Sequence, residues 1–262
     1  MAYESTKVLI WGKTYPELSK TYTETVCTGG CREDGSPIRL YPVQLRYLEG
    51  EQQYSLYDWI DVPIEKSTKD PRPESFKVRG DDIKILDRVP TDKQGWGGRR
   101  ALIFKDTSWH YGSVAALKSQ QKSSGKSIGF VTPSAIDDVR LVAKSDEERQ
   151  IYLEKMAKIQ SQQDFFRTEY KQLAFLPYEI KLRWRCSEIC PECPHDMKVL
   201  DWGLLELARK AGWDKARDRL AELSDLQSHD FRLFMGNFRL HLGVFGIIGL
   251  WYPAKTDQTS LL

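Results

Sequence analysis

Long apolar runs are missing from this chain of 262 residues: none approaches the roughly 18–20 residues needed to cross a bilayer. The opening MAYESTKVLIWGK has neither the basic start nor the cleavage pattern of a secretion signal, so a cytoplasmic protein with no membrane contact is expected. An excess of one charge is missing too. The 39 Lys and Arg against 37 Asp and Glu leave a net charge of +2, so bulk charge does not announce a polyanion binder and any basic surface must be local. Cysteine is scarce and odd in number, five in all, with three crowded into one decapeptide; that fits a reducing compartment and metal ligation better than a disulfide framework. Internal repeats and long low-complexity tracts are also absent. What remains, 40% hydrophobic and 29% charged, is a globular chain able to bury one large core or two small ones.

The first half reads as β-rich. VLIWG (8–12) is a buried strand opening into a polar loop; TYTETVCT (21–28) and IRLYPV (38–43) flank the turn chemistry of REDGSP and make a hairpin. On its second strand Ile38 and Leu40 face one side, Arg39 and Tyr41 the other. YDWIDVPI (57–64) is a further strand, followed by a Pro-rich charged loop and an edge strand. A short helix near 113–120 and the strand IGFV precede a boundary near 140–145. Ser145 and Glu148 form a capping box for a helix over 146–173, carrying Tyr152, Met156, Ile159, Phe166, Tyr170 and Leu173 at helical spacing. YEIKLRWRC is a half-buried strand with a basic outer face of Lys181, Arg183 and Arg185. A helical stretch divided or capped at Gly203 and Gly212 follows, then a short element and a terminal buried strand. The expected fold class is α+β, with a β-rich half (1–143) and a helical, zinc-knuckle-containing half (144–262).

The decapeptide CSEICPECPH carries Cys186, Cys190, Cys193 and His195. Thiolates this dense repel one another unless a cation neutralises them, and C-x3-C-x2-C with a histidine close behind supplies four ligands suited to a structural Zn2+. Pro191 and Pro194 lower the entropy lost on closing the knuckle. The same spacing also holds the iron-sulfur cluster of radical S-adenosylmethionine enzymes, but here it comes late in the chain and without the repeated strand-helix pattern of their barrel. Cys27 and Cys31 form a looser pair, for which a buried thiol at Cys27 is the simpler reading.

Eight tryptophans and twelve tyrosines, several beside arginines, suit a groove in which bases stack and cations hold phosphates. Candidate stackers are Tyr15, Tyr22 and Tyr41. Lys13, Arg39, Arg46, Arg99 and Arg100 are candidate phosphate contacts, the last two because the glycines of GWGGRR let the backbone approach an anion. Among carboxylates, Glu24 shares a strand face with Val26 and is expected to be buried with a raised pKa. Asp201, just beyond the knuckle, either serves chemistry or caps a helix.

Taken together, ETVCTGG, IRLYPVQLRYL, YDWIDV and DPRPESFKV in the first half, with CPECPHDMKVLDWG, FMGNFRLH and GIIGLWYP in the second, resemble a family of prokaryotic proteins that look like components of phage defence. The resemblance spans nearly the whole chain and transfers no catalytic residue. It implies a DNA-binding protein acting on modified bases of phage DNA, as a base-excising glycosylase. A flipped base would stack on an aromatic while Glu24, or secondarily Asp201, activates water or stabilises the developing positive charge. The alternative is a zinc-stabilised reader or adaptor without chemistry.

Overall fold

The second half of strand β1 (Glu4–Lys13) is buried on both faces, and the architecture follows from that. Val8 and Ile10 enter one core while Leu9 and Trp11 enter another. The computed structural model describes residues 3–68, 70–91, 96–163 and 171–255.

The first core fills a barrel. Strands β2 (Glu17–Ser19), β3 (Thr23–Cys31), β4 (Pro37–Val43), β5 (Asp58–Lys66), β6 (Ser75–Val78) and β7 (Lys84–Arg88) join β1 in one sheet. Its path runs β1-β3-β4-β6-β5 and closes because β5 also pairs with β1; β4 and β6 are parallel, the other pairs antiparallel. This five-strand order is that of a Greek-key barrel of the OB type. Val8, Ile10, Val26, Ile38, Leu40, Ile60, Val62 and Tyr54 fill the interior. Closure removes the sheet edges that β1 and β5 would otherwise present to solvent.

After a short helix α1 (Gly97–Ile103), the chain makes β8 (His110–Tyr111), α2 (Val114–Ser124) and β9 (Ile128–Val131), a parallel crossover. Ser113 caps α2 by accepting the Ala116 N–H, and Gly125 ends it in the left-handed region at φ +75°. Strand β10 (Pro133–Ala143) precedes α3 (Asp146–Gln163) and pairs along its length with β11 (Tyr178–Cys186), which pairs with β12 (His195–Lys198). Helices α4 (Trp202–Ala211) and α5 (Trp213–Leu223) come next, then the hairpin β13 (Arg232–Phe238) and β14 (His241–Trp251). The second half thus holds a three-stranded sheet, β10-β11-β12, and a four-stranded one, β14-β13-β9-β8.

A helical second half is therefore overturned: among the described residues of 144–262 four elements, β11 to β14, are strands, and β14 is one of the longest in the chain. Helices α4 and α5 pack Leu204, Leu205, Ala208, Ala216 and Leu220 into the core beside these sheets, whereas α3 is marginal to it. Helix α3 buries only Met156 and Ile159 well, with Ser145 and Glu148 exchanging the two hydrogen bonds of a capping box. The helix expected over 146–173 is described to Gln163; Phe166 and Tyr170 lie outside the described residues, and residues 171–177 are irregular. The error came from summing helix formers on exposed faces, whereas GVFGIIGLW and FRLFMGNF find sheet partners that local sequence does not reveal. The division expected at 143 falls between β10 and β11, which are paired strands.

A seam of aromatic rings joins barrel and second half. Trp11 stacks on Phe234 (4.4 Å between centroids), Phe234 lies 3.8 Å from Phe130, and Trp109 packs on both Trp11 and Phe130. At roughly 25 cal/mol per Å2 and 150–250 Å2 per ring, each such side chain contributes roughly 4–6 kcal/mol before ordering entropy is subtracted. Much of the tryptophan excess is spent here: Trp11, Trp109 and Trp251 are fully buried in the seam, while Trp184 is fully buried in the second half's own core.

Strand β3 approaches β1 so closely that a Cβ at Gly30 would lie 2.4 Å from Val8 Cγ1 and 2.7 Å from the Leu9 carbonyl. Gly30→Ala is expected to lower stability by about 2–3 kcal/mol, read as a fall in urea midpoint, because neither strand of a closed barrel can yield. Gly50→Ala, where nothing lies within 4 Å, should leave the midpoint in place; equal midpoints for both variants would contradict this account.

Candidate metal centre and a buried arginine cavity

Cys186 ends β11 and His195 begins β12, so the turn between two paired strands closes the knuckle. Trp184 and His195 sit opposite each other in the register, their rings 4.9 Å apart. The ligand atoms of Cys186, Cys190, Cys193 and His195 all lie within 4.8 Å of one another and can hold a metal ion. His195 Nε2 is 3.3 Å from Cys186 Sγ and 3.4 Å from Cys190 Sγ. Bond lengths of about 2.3 Å to sulfur and 2.0–2.1 Å to nitrogen put tetrahedral ligands roughly 3.5–3.8 Å apart, so the set fits one ion. Two backbone N–H groups already point at sulfur, Val114 N at Cys186 (3.4 Å) and Cys186 N at Cys193 (3.3 Å). Burial pushes the Cys186 thiol well up, so this sulfur keeps its proton unless a cation displaces it.

The knuckle also ties the two sheets of the second half together. Ser187 N donates to Thr132 O and Glu188 N to Gly112 O, joining the loop to the start of α2 and the end of β9. Purified protein is expected to carry one metal ion per chain. Stripping it with a chelator, or Cys190→Ser, should lower Tm by about 10 °C or more, since a structural ion contributes several kcal/mol to folding. An unchanged melt after complete stripping would remove the metal from the fold.

The two candidate catalytic carboxylates are apart and both are engaged. Glu24, on β3 opposite Leu18, is 1% exposed with Oε1 3.3 Å from Arg46 Nε. Arg46 in turn donates to the carbonyls of Lys171 and Gln172. Burial raises the Glu24 carboxyl to about 7, and Arg46 and Lys171 pull it back only in part. Asp201 is the N-cap of α4, accepting the Leu204 N–H at 2.8 Å, and burial raises it to about 6. Beside it Lys13, lowered to about 8 by burial, donates to Tyr54 O and lies over the Trp202 ring. The capping role is thus the one Asp201 occupies.

A carboxyl whose pKa is raised by folding stabilises the protein most below its ordinary 4.5, and that contribution is lost as pH rises to about 7. For Glu24 the swing is roughly 3 kcal/mol at 1.36 kcal/mol per unit. Glu24→Gln should therefore gain in Tm relative to the parent between pH 5 and pH 8; a pH-independent difference would mean that burial does not control this carboxyl.

The expected phosphate contacts do not form one surface. Arg99 is buried with its guanidinium 3.8 Å above the Tyr57 ring and Nε on Val89 O, and Arg100 pairs with Asp230. The basic face of β11 is partly neutralised: Arg183 and Arg185 share Asp137, and nearby Arg140 meets Asp196. Tyr15 is buried against Trp202, whereas Tyr22, at the β2–β3 turn, is exposed.

Arg39 and Tyr41, on the outer face of β4, come together at a cavity of about 90 Å3 between the barrel and the β13–β14 hairpin. Arg39 is 2% exposed and, among the described residues, has no ion-pair partner; it donates to Asn237 O (2.9 Å) and Ser127 O (2.6 Å), with Cys27 Sγ at 3.7 Å. Arg72 donates to the same Asn237 O at 3.1 Å, while Asp70 takes its other donors and Glu74 binds Ser127. Sequence reasoning passed over Arg72, Asn237, Gly236 and Arg239 as members of this site. Their only signal was the charged, proline-stiffened DPRPES, because Asn237 lies 198 residues from Arg39. Cys27 and Cys31, four residues apart on one strand and so about 13 Å from each other, do not share an ion; Cys31 is buried in the seam.

Residues 4–105 match the family described as domain of unknown function (DUF8758), and residues 110–262 match the one described as domain of unknown function (DUF8757). No curated protein matches the chain.

Proposed function

Starting from the fact that the chain belongs to the DUF8757 family, whose match covers more than half of it, we propose that it is a zinc-stabilised nucleic-acid reader of the cytoplasm. The observation that carries this reading is the use made of the outer face of β3 and β4. Barrels of this strand order hold oligomers on that face; here the second half covers it except at the arginine cavity, where Cys27, Arg39 and Tyr41 remain. At the mouth, the β13–β14 turn projects Arg239, Leu240 (77% exposed) and His241, a cation beside an apolar side chain able to wedge between bases. Zinc is the ion proposed for the knuckle, because three thiolates and an imidazole within 4.8 Å suit one borderline-soft ion and leave no room for a cluster of irons.

Base excision is the second reading, favoured by one carboxylate: Glu17 lines the cavity, whereas Glu24 and Asp201 hold Arg46 and the start of α4. No described helix is long and apolar enough to span a membrane. Phage DNA with modified bases is the polymer to try first.

The test is fluorescence anisotropy with single- and double-stranded DNA at low salt. Binding is expected to weaken about tenfold with Leu240→Asp, an exposed substitution that spares Tm, as the apolar wedge is lost, burial of a leucine side chain being worth about 1.5–3 kcal/mol. No binding to either polymer would overturn the proposal. Alkali-labile abasic sites in modified DNA, lost with Glu17→Gln, would decide for excision over reading.

A further inference from the structure

Two guanidinium groups are buried together with two carboxylates, but Asp70 is taken by Arg72 and Glu74 by Ser127, so neither touches Arg39. Arg39 and Arg72, 2% and 3% exposed, converge on a single carbonyl oxygen, that of Asn237. Asp70 neutralises Arg72 through paired hydrogen bonds, but Arg39 is left with two neutral carbonyls and a thiol, and its Nε has no hydrogen-bond partner. Burying an ion without a matched counter-ion costs several kcal/mol, so a cavity against such a group attracts an anion. Gly236 keeps room for the guanidinium, since a Cβ there would lie 3.1 Å from Arg39 Nη2.

From this we infer that the cavity binds a phosphate monoester, held by Arg39 from below and by Arg239 at the mouth. Hydroxyl donors suited to phosphate oxygens stand on the wall. Thr14 Oγ1 accepts the Cys27 N–H at 3.0 Å, which leaves its own proton to give, and Tyr41 and Thr25 line the same space. The fork of a guanidinium matches phosphate oxygens in pairs. Shape sets the monoester apart from the diester: a recess of about 90 Å3 admits a group tethered on one side, whereas an internal phosphate carries chain on two. The ligand is then either a free mononucleotide or the phosphorylated end of a polynucleotide; only the second source rests on the nucleic-acid reading above.

Cys27 reports on occupancy, being half-buried in the cavity wall while Cys31 is sealed in the seam and the other three cysteines form the knuckle. In the metal-loaded full chain, inorganic phosphate, thymidine monophosphate and a 5′-phosphorylated oligonucleotide are compared for protection of Cys27 from iodoacetamide, read by peptide mass. Saturating phosphate or mononucleotide should slow alkylation about fivefold or more, as an occupied cavity screens the thiol. Thymidine and a 5′-hydroxyl oligonucleotide should not. The exposed Arg239→Gln should raise the half-protecting concentration about tenfold, as one charge-assisted contact is lost, without moving Tm. A phosphorylated oligonucleotide that protects far better than the mononucleotide identifies the polymer end as the source. Unchanged alkylation with all three phosphates overturns the inference, as does equal protection by thymidine. DNA binding by anisotropy with no protection of Cys27 would sink the cavity and leave the reader standing; protection without DNA binding would do the reverse.

Discussion

Burial of β1 on both faces constrains everything else in the molecule. A strand in a free-standing barrel shows one face to its own core and the other to water, but Leu9 and Trp11 turn outward into a second apolar layer as complete as the first. That layer belongs to strands more than a hundred residues further on, Phe130 on β9 and Phe234 on β13. The barrel and the second half are consequently not two bodies on a linker. The apolar area that stabilises each includes the seam they share, and neither could expose its side of the seam without a large patch of aromatic surface meeting water.

The polar chemistry follows from the same seam. Where ring packing ends, the outer face of β3 and β4 continues as Cys27, Arg39 and Tyr41, and the second half covers these with backbone carbonyls in place of hydrophobic side chains. A buried arginine therefore has to be satisfied by main-chain oxygens and by charges one step removed, Asp70 through Arg72 and Glu74 through Ser127. The Cys3His knuckle does a different job at a distance. It ties β11 and β12 to the start of α2, and so holds together the two sheets against which the barrel packs.

Several features were legible because they depend on near neighbours. The four ligands lie within ten residues, so their type and spacing carry the geometry. Ser145 and Glu148, the short helix near 113–120, and the turn between β3 and β4 are local hydrogen-bond arrangements. The inward placing of Ile38 and Leu40 with Arg39 turned outward is strand alternation alone. The helical second half misled because helix formers on exposed faces of α3 to α5 outweigh, in a local reading, strands whose stability comes entirely from pairing across long separations.

The amino-acid order by itself determined which residues share a strand face, where helices begin, and which side chains can gather around an ion, since each rests on backbone periodicity or on contacts a few residues apart. Only the tertiary structure decided what each face meets. Arg99 and Arg39 look alike in sequence, each an arginine near aromatics; one ends over the Tyr57 ring, the other beneath a cavity, reaching carbonyls 88 and 198 residues away. Periodicity fixes direction along a strand, but the element that arrives to cover it is selected by packing of the whole chain.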